Sequence, residues 1–171
     1  RKSLKTRTIF NLLGPLSNPA GAQMQLIGVY DRRWLVPFAQ VLQRLGSKKA
    51  WIVHGSDGLD EITLGAPSYV AALEDDVIHE FEINPEEYGL HLDEDNGLAG
   101  GDAGYNAKAL TDLLDGKVND YRHVVLINAA AALVVADKAH DIPMGLELAA
   151  ASIDDGHARH VLAKMVSGGH C

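Results

Sequence analysis

Two adjacent carboxylates, Asp60 and Glu61, are the side chains of this sequence best placed to do chemistry. They end the run HGSDGLDE (residues 54–61), which follows an apolar stretch at residues 50–53 and contains Gly55 and Gly58. In open α/β sheets, ligands bind outside the carboxyl ends of strands, and loops often carry binding residues. Mg²⁺ needs only one or two protein carboxylates beside a substrate phosphate. The sequence therefore predicts a cation site here, with a solvated acidic turn as an equally weighted alternative.

A second group of charged residues lies at the start of the chain. A guanidinium can bind a carboxylate through two parallel hydrogen bonds, so this cluster could hold an acidic ligand. An exposed basic segment is the better interpretation from the residues alone. The cluster consists of Arg1, Lys2, Lys5 and Arg7.

The run Gly100-Gly101-Asp102 could cradle an anion at a helix N-terminus. However, the sequence contains neither the Walker pattern nor G-x-G-x-x-G, so a turn followed by the N-cap Asp102 is favoured. The eight histidines show no H-E-x-x-H spacing, and we expect most of them at the surface.

The elements that must position Asp60 and Glu61 follow a βαβ pattern. Residues 25–30 and 50–53 are short apolar runs typical of buried strands. Between them, residues 33–45 have one apolar helical face, and Gly46 suits a left-handed C-terminal cap. Strand, helix and strand with short links predict an α/β fold with a mostly parallel sheet flanked by helices.

The rest of the chain is predicted as a β-hairpin followed by helices. Residues 68–73 and 77–83 flank the acidic turn at residues 74–76, and residues 85–98 resemble an acidic surface loop. Helices are expected over residues 102–114 and 124–136, from Asp141 to Gly156, and on to about Ser167.

Composition excludes several classes of protein. The chain has 171 residues and a net charge of −8, which suits one domain and disfavours binding to nucleic acid. The longest apolar run lies between His123 and Asp137, is interrupted by Asn128, and is too short to span a bilayer. A single cysteine, Cys171, fits a reducing, cytoplasmic setting. The chain begins without Met and without a signal peptide, so we expect an N-terminal part of the protein to lie outside it.

Several of these runs, taken together, closely resemble the anthranilate phosphoribosyltransferases. Residues 1–4 (RKSL) and 7–21 (RTIFNLLGPLSNPAG) are similar to the long motif of that family. The similarity continues in order through residues 28–30, 53–55, 57–61, 85–90, 100–103, 106–107 and 128–133, and so covers essentially the whole chain.

The resemblance implies an activity and a set of site residues. The family transfers phosphoribosyl from phosphoribosyl pyrophosphate to anthranilate, giving N-(5-phosphoribosyl)anthranilate and pyrophosphate in tryptophan biosynthesis. It uses Mg²⁺, shares the fold of the nucleoside phosphorylase and phosphoribosyltransferase catalytic domains, and usually forms homodimers. By this resemblance Asp60 and Glu61 match the metal-binding pair, and Arg1 matches the arginine that contacts anthranilate. No residue is assigned as a general acid or base. Positions that match the family with scaffold roles are Arg7, Asn11 and Pro19.

The resemblance also implies how much of the family's chain is represented. Residues 1–171 correspond to the C-terminal part of its α/β domain. We expect the helical domain and the glycine-rich phosphate loop to lie outside this chain, which should be inactive alone.

Two rival functions remain open from the sequence. A pyrimidine nucleoside phosphorylase-like enzyme would share the fold but lack this pairing of RTIFN with GLDE. A non-catalytic relative that binds nucleic acid is the other, and the charge of −8 counts against it.

Overall fold

The computed structural model describes residues 10–17, 20–93 and 98–168. The chain forms two compact units, which we describe separately. The first consists of Arg1–Ile62 and Pro67–Ile83, and the second of Thr63–Ala66 and Asn84–Cys171. Within the described ranges, no helix is long and apolar enough to cross a membrane.

The first unit is a four-stranded sheet with helices. Its elements are α1 (Phe10–Leu16), β1 (Met24–Gly28), a 3-10 turn (Arg32–Trp34), α2 (Leu35–Arg44), β2 (Lys49–Gly55), β3 (Ser68–Glu74) and β4 (Val77–Ile83). Strand β1 is parallel to β2, and β2–β3 and β3–β4 are antiparallel, in the order β1-β2-β3-β4. The predicted α/β class is confirmed, and the sheet is mixed because the predicted antiparallel hairpin follows the parallel βαβ segment.

Helix α2 forms the core of this unit with one face of the sheet. Its buried side chains Leu35, Phe38 and Leu42 recur at helical spacing, so one apolar stripe faces the strands. Gly46 has φ of +81°, which confirms the predicted left-handed cap and turns the chain into β2. The strand residues in this core are Ile27, Ala50, Ile52, Ala71 and Leu73.

The hairpin between β3 and β4 turns on two aspartates in left-handed backbone conformations. Asp75 has φ of 50° and Asp76 has φ of 62°, while Glu74 pairs with Val77. Positive φ at both central residues is the type I′ turn that matches strand twist, and it favours Asn-Gly over Asp-Asp.

We expect Asp76→Gly to raise the free energy of unfolding by roughly 0.5–1 kcal/mol, because glycine adopts positive φ without steric cost. Urea denaturation of the complete polypeptide measures it. Asp76→Ala is the control and should be destabilising, since it keeps the strain and loses the local polar side chain. An unfolding free energy unchanged or lowered by Asp76→Gly would contradict this account of the turn.

The second unit is helical. The residues predicted as an acidic loop at 85–98 begin with a 3-10 turn, because Asn84 caps Glu86 N and buried Pro85 occupies its first position. Asp102 and Asp141 each cap the helix that follows them, as predicted, by accepting a hydrogen bond from the backbone. The elements are this 3-10 turn (Pro85–Tyr88), α3 (Ala103–Leu114), α4 (Asp120–Val135), α5 (Ile142–Asp154) and α6 (His157–Val166).

Helices α4 and α5 pack closely against each other. An added Cβ at Gly145 of α5 would lie 2.8 Å from both the Cα and the carbonyl oxygen of Ala130 in α4. The same helices are joined by an ion pair, in which Arg122 Nη2 donates to both carboxylate oxygens of Asp154 at 2.8 and 2.9 Å. The small residues Gly145 and Ala130 and the buried cation of Arg122 therefore set the spacing between α4 and α5.

Candidate metal centre

The acidic loop, residues 55–61, leaves the carboxyl end of β2 as predicted. Gly55 and Ile62 are buried at its two ends, whereas Asp60 and Glu61 are exposed. The loop is thus anchored on both sides of a solvent-facing carboxylate pair. This is the position at which α/β sheets bind ligands.

Hydrogen bonds within the loop give it a closed shape. Gly55 N donates to Leu59 O at 2.9 Å, and Gly58 N donates to Gly55 O at 2.8 Å. Asp57 Oδ1 accepts from Leu59 N at 3.1 Å. Gly58 has φ of +96°, a conformation that favours glycine. The main chain that carries Asp60 is therefore folded back onto the strand end.

The last residue of strand β1 lies against the main chain of this loop. An added Cβ at Gly28 would lie 1.6 Å from the carbonyl oxygen of Asp60 and 2.6 Å from its carbonyl carbon. Both atoms belong to the backbone. The last residue of β1 must therefore lack a side chain for Asp60 to lie where it does.

A buried histidine joins the ends of β1 and β2. His54 Nδ1 donates to the carbonyl oxygen of Val29 at 2.9 Å, and Val29 N donates to Val53 O at 2.9 Å. Because a carbonyl can only accept, the proton of this bond is on Nδ1. Most histidines were expected at the surface, and His54, at 9% exposure, is an exception.

The carboxylates of the loop crowd one another. The pKa of Glu61 is raised above its ordinary value of 4.5, first because its carboxyl group is partly desolvated and then because Asp60 and Asp57 carry like charge. A divalent cation would relieve this repulsion. In the part of the chain that the structure describes, no three His, Cys, Asp or Glu side chains form a metal-holding group. The pair instead suits Mg²⁺, which keeps several waters.

The raised pKa predicts a pH dependence of stability. A folded-state pKa above the unfolded value means that the native state holds the Glu61 proton more tightly. Ionised Glu61 therefore lowers the stability of the folded state. This loss of stability is absent well below pH 4.5 and develops as the pH rises from there through the raised pKa. In chelator, Glu61→Gln should melt higher than the parent at neutral pH and lose that advantage in acid. Melting curves at several pH values measure it, and an equal advantage at all pH values would contradict it.

The structure does not test the other residues singled out near the start of the sequence. Arg1, and with it Lys2, Lys5, Arg7 and Pro19, lies outside the described residues. Asn11 lies in α1, but its side chain is outside the description.

The glycine pair before α3 is a turn with a cap, as favoured from the sequence. Asn106 closes it, because its Oδ1 accepts from Gly101 N at 2.9 Å and its Nδ2 donates to Gly101 O at 3.0 Å. The Gly101 amide is thus already occupied by a protein acceptor. An anion cradle at this helix start is not supported.

Two residues of the site were not found from the sequence, Gly28 and His54. A glycine that ends a buried strand can mark a close backbone approach, and that signal was available for Gly28. His54 follows the apolar run directly, so its burial could also have been inferred from the strand.

The fold and this loop define a class of protein. A family model described as "Glycosyl transferase family, a/b domain" matches residues 1–159. The chain therefore belongs to this glycosyl transferase family.

Among curated proteins, the chain is similar to an anthranilate phosphoribosyltransferase of Bradyrhizobium sp. (strain ORS 278). The two are 56% identical over 167 residues, which is 98% of this chain and 50% of that protein. The anthranilate phosphoribosyltransferase of Afipia carboxidovorans is also 56% identical over 167 residues, again 98% of this chain and 50% of that protein. The chain thus spans about half the length of the curated relatives it matches.

Solved structures are also similar to this chain over almost its whole length. The anthranilate phosphoribosyltransferase of Thermus thermophilus matches with a TM-score of 0.85 and 36% identity, over 98% of this chain and 49% of that one. The Saccharomyces cerevisiae enzyme in complex with phosphoribosyl pyrophosphate and Mg matches with a TM-score of 0.84 and 28% identity, over 95% and 47%.

Proposed function

We propose that the complete polypeptide carrying this chain transfers phosphoribosyl from phosphoribosyl pyrophosphate to anthranilate, as in tryptophan biosynthesis. The observation that carries the proposal is the exposed carboxylate pair at the carboxyl end of β2 in a member of this glycosyl transferase family. Relatives at 56% identity bear the name of that activity.

Asp60 and Glu61 are the residues that would hold Mg²⁺, directly or through waters. Their oxygens are hard ligands. The pKa of Glu61 is raised first by partial desolvation and then by the like charges of Asp60 and Asp57, and a cation would offset that negative charge. Bound Mg²⁺ stabilises the charge that develops on departing pyrophosphate. The S. cerevisiae relative was solved with phosphoribosyl pyrophosphate and Mg, which supports this assignment.

The acceptor would be oriented by Arg1, through the carboxylate of anthranilate. A guanidinium matches a carboxylate in a planar, two-bonded geometry, so this residue contributes proximity and not proton transfer. The assignment depends on the position of Arg1 in the motif, six residues before Arg7. None of the described side chains is assigned as a general acid or base.

This chain would supply only part of the site. We propose that residues 1–171 are the C-terminal part of the α/β domain and that a helical domain and a phosphate loop outside the chain complete the cradle for pyrophosphate. The chain alone would then be inactive. We further propose that the complete polypeptide lies in the cytoplasm, for which the single cysteine is the support from this sequence. A homodimer is proposed from the resemblance to the family alone.

Anthranilate fluorescence tests the proposal. When the complete polypeptide is given anthranilate, phosphoribosyl pyrophosphate and Mg²⁺, the anthranilate fluorescence should decrease. The decrease should stop when a chelator is added and should not occur when phosphoribosyl pyrophosphate is omitted. Phosphorolysis of a pyrimidine nucleoside without anthranilate turnover would favour the phosphorylase. Tight DNA binding without either reaction would favour the nucleic-acid-binding relative.

A further inference from the structure

We propose that the end of strand β1, at Gly28 and Val29, is a positioning element for the metal-binding pair. It fixes the main chain of Asp60, and so the point from which the Asp60 and Glu61 carboxylates reach the ion. The inference rests on the proposed function, because it assumes that this pair binds Mg²⁺.

The first step is steric. Cβ atoms essentially never approach another heavy atom within 3.0 Å, and at Gly28 the Asp60 carbonyl oxygen stands 1.6 Å from the Cβ position. An alanine at position 28 would therefore require a displacement of about 1.4 Å or more. The contacted atoms are backbone, so no rotamer change can relieve the contact. Gly28 does not have a positive φ, so its requirement for glycine comes from this contact and not from backbone conformation.

The second step is that β1 cannot easily retreat. Val29, the next residue, is hydrogen-bonded to β2 through its amide, at Val53 O, and through its carbonyl, at His54 Nδ1. Val29 is 2% exposed. Two hydrogen bonds to β2 thus hold the strand end in place, and the displacement falls on the acidic loop.

The third step is that the loop transmits the displacement to its carboxylates. The hydrogen bond from Gly55 N to Leu59 O closes the loop directly before Asp60. Buried Ile62 anchors the loop directly after Glu61. Asp60 lies between these fixed points, so a moved peptide at position 60 reorients both acidic side chains.

Mg²⁺ makes such a displacement costly for binding. The ion requires nearly ideal octahedral geometry at about 2.0–2.1 Å from its ligands, and sites that are loose by about 1 Å lose function. We expect Gly28→Ala to weaken divalent-cation binding by about tenfold or more.

The test measures cation binding in the complete polypeptide. Mn²⁺ is the probe and is followed by electron paramagnetic resonance, with and without phosphoribosyl pyrophosphate. Gly145→Ala is the matched control, because its Cβ would clash with the backbone of Ala130 at 2.8 Å in the helical unit. It should lower the melting temperature and leave Mn²⁺ affinity at the parental value. Gly28→Ala should instead weaken Mn²⁺ binding, and raised Mg²⁺ concentrations should restore part of its activity.

Parental Mn²⁺ affinity in a folded Gly28→Ala variant would overturn the inference. If that variant does not fold, Mn²⁺ binding is measured in His54→Phe instead, because this substitution keeps a ring and removes the hydrogen bond to Val29. Weaker Mn²⁺ binding supports the inference, and parental binding overturns it.

The double variant Asp60→Asn/Glu61→Gln separates failure of the inference from failure of the proposed function. If it binds Mn²⁺ like the parent, the metal assignment itself is wrong. If it loses Mn²⁺ while Gly28→Ala does not, only the positioning role of β1 is wrong.

Discussion

Replacing Asp60 with Asn and Glu61 with Gln in the complete polypeptide should lower Mg²⁺-dependent turnover of anthranilate by about a hundredfold or more. The amides keep the shape of the side chains and remove both negative charges. The fold should persist, because both residues are exposed. In chelator, the melting temperature should equal or exceed that of the parent, since the variant removes both the partly desolvated charge of Glu61 and its repulsion with Asp60, the two main causes of the raised pKa of Glu61. Steady-state kinetics at varied Mg²⁺ and melting curves measure the two effects.

A second acidic pair provides the matched control. Asp75 and Asp76 stand at the hairpin turn between β3 and β4, at the opposite end of β3 from the acidic loop. Asp75→Asn/Asp76→Asn removes the same two charges and should leave turnover and its Mg²⁺ dependence unchanged. Equal losses of activity in the two double variants would mean that net charge, and not a metal site, explains the result. Unchanged Mg²⁺ dependence in Asp60→Asn/Glu61→Gln would remove the metal assignment.

Asp154→Ala should destabilise the helical unit by roughly 2–4 kcal/mol. The variant leaves Arg122 as a buried cation without its carboxylate, since the Arg122 side chain is 9% exposed and that of Asp154 is 54% exposed. Arg122 Nη1 already has no hydrogen-bond partner among the described residues, so little compensation is available. Urea denaturation of the complete polypeptide, followed by a helical signal, measures the loss.

Two further variants show whether burial is the cause. Arg122→Met/Asp154→Ala removes the buried charge as well and should recover much of the stability. Asp112→Ala breaks solvent-exposed ion pairs with Lys108 and Lys117 and should be clearly milder. If Asp154→Ala and Asp112→Ala were equally mild, the buried cation at Arg122 would not be costly, and our explanation of this helix pair would be wrong.

Local sequence was sufficient for much of the fold and for the place of the acidic pair. The βαβ segment, the hairpin and the caps at Gly46, Asp102 and Asp141 depend on residues near one another in the chain, and all are confirmed. Helix α1 was missed because it contains Gly14 and Pro15, residues that usually mark turns.

The contacts that shape the site were beyond local sequence. Gly28 meets Asp60 across 32 positions of the chain, and His54 meets Val29 across 25. Periodicity identifies a strand but does not state which loop lies against its last residue. The carboxylates could therefore be located from sequence, and the strand end against which they rest could not.

The three atoms nearest to the Cβ position of Gly28 all belong to the main chain of Asp60. The two positions should therefore tolerate change very differently in directed evolution. Residue 60 can vary in chemistry without disturbing the contact, so libraries that alter the proposed metal site can randomise it. Residue 28 accepts no substitution while the loop keeps this path, and a successful change there would need compensating changes in loop length or course. The strand end thus preserves the geometry of the site and leaves its chemistry open to redesign.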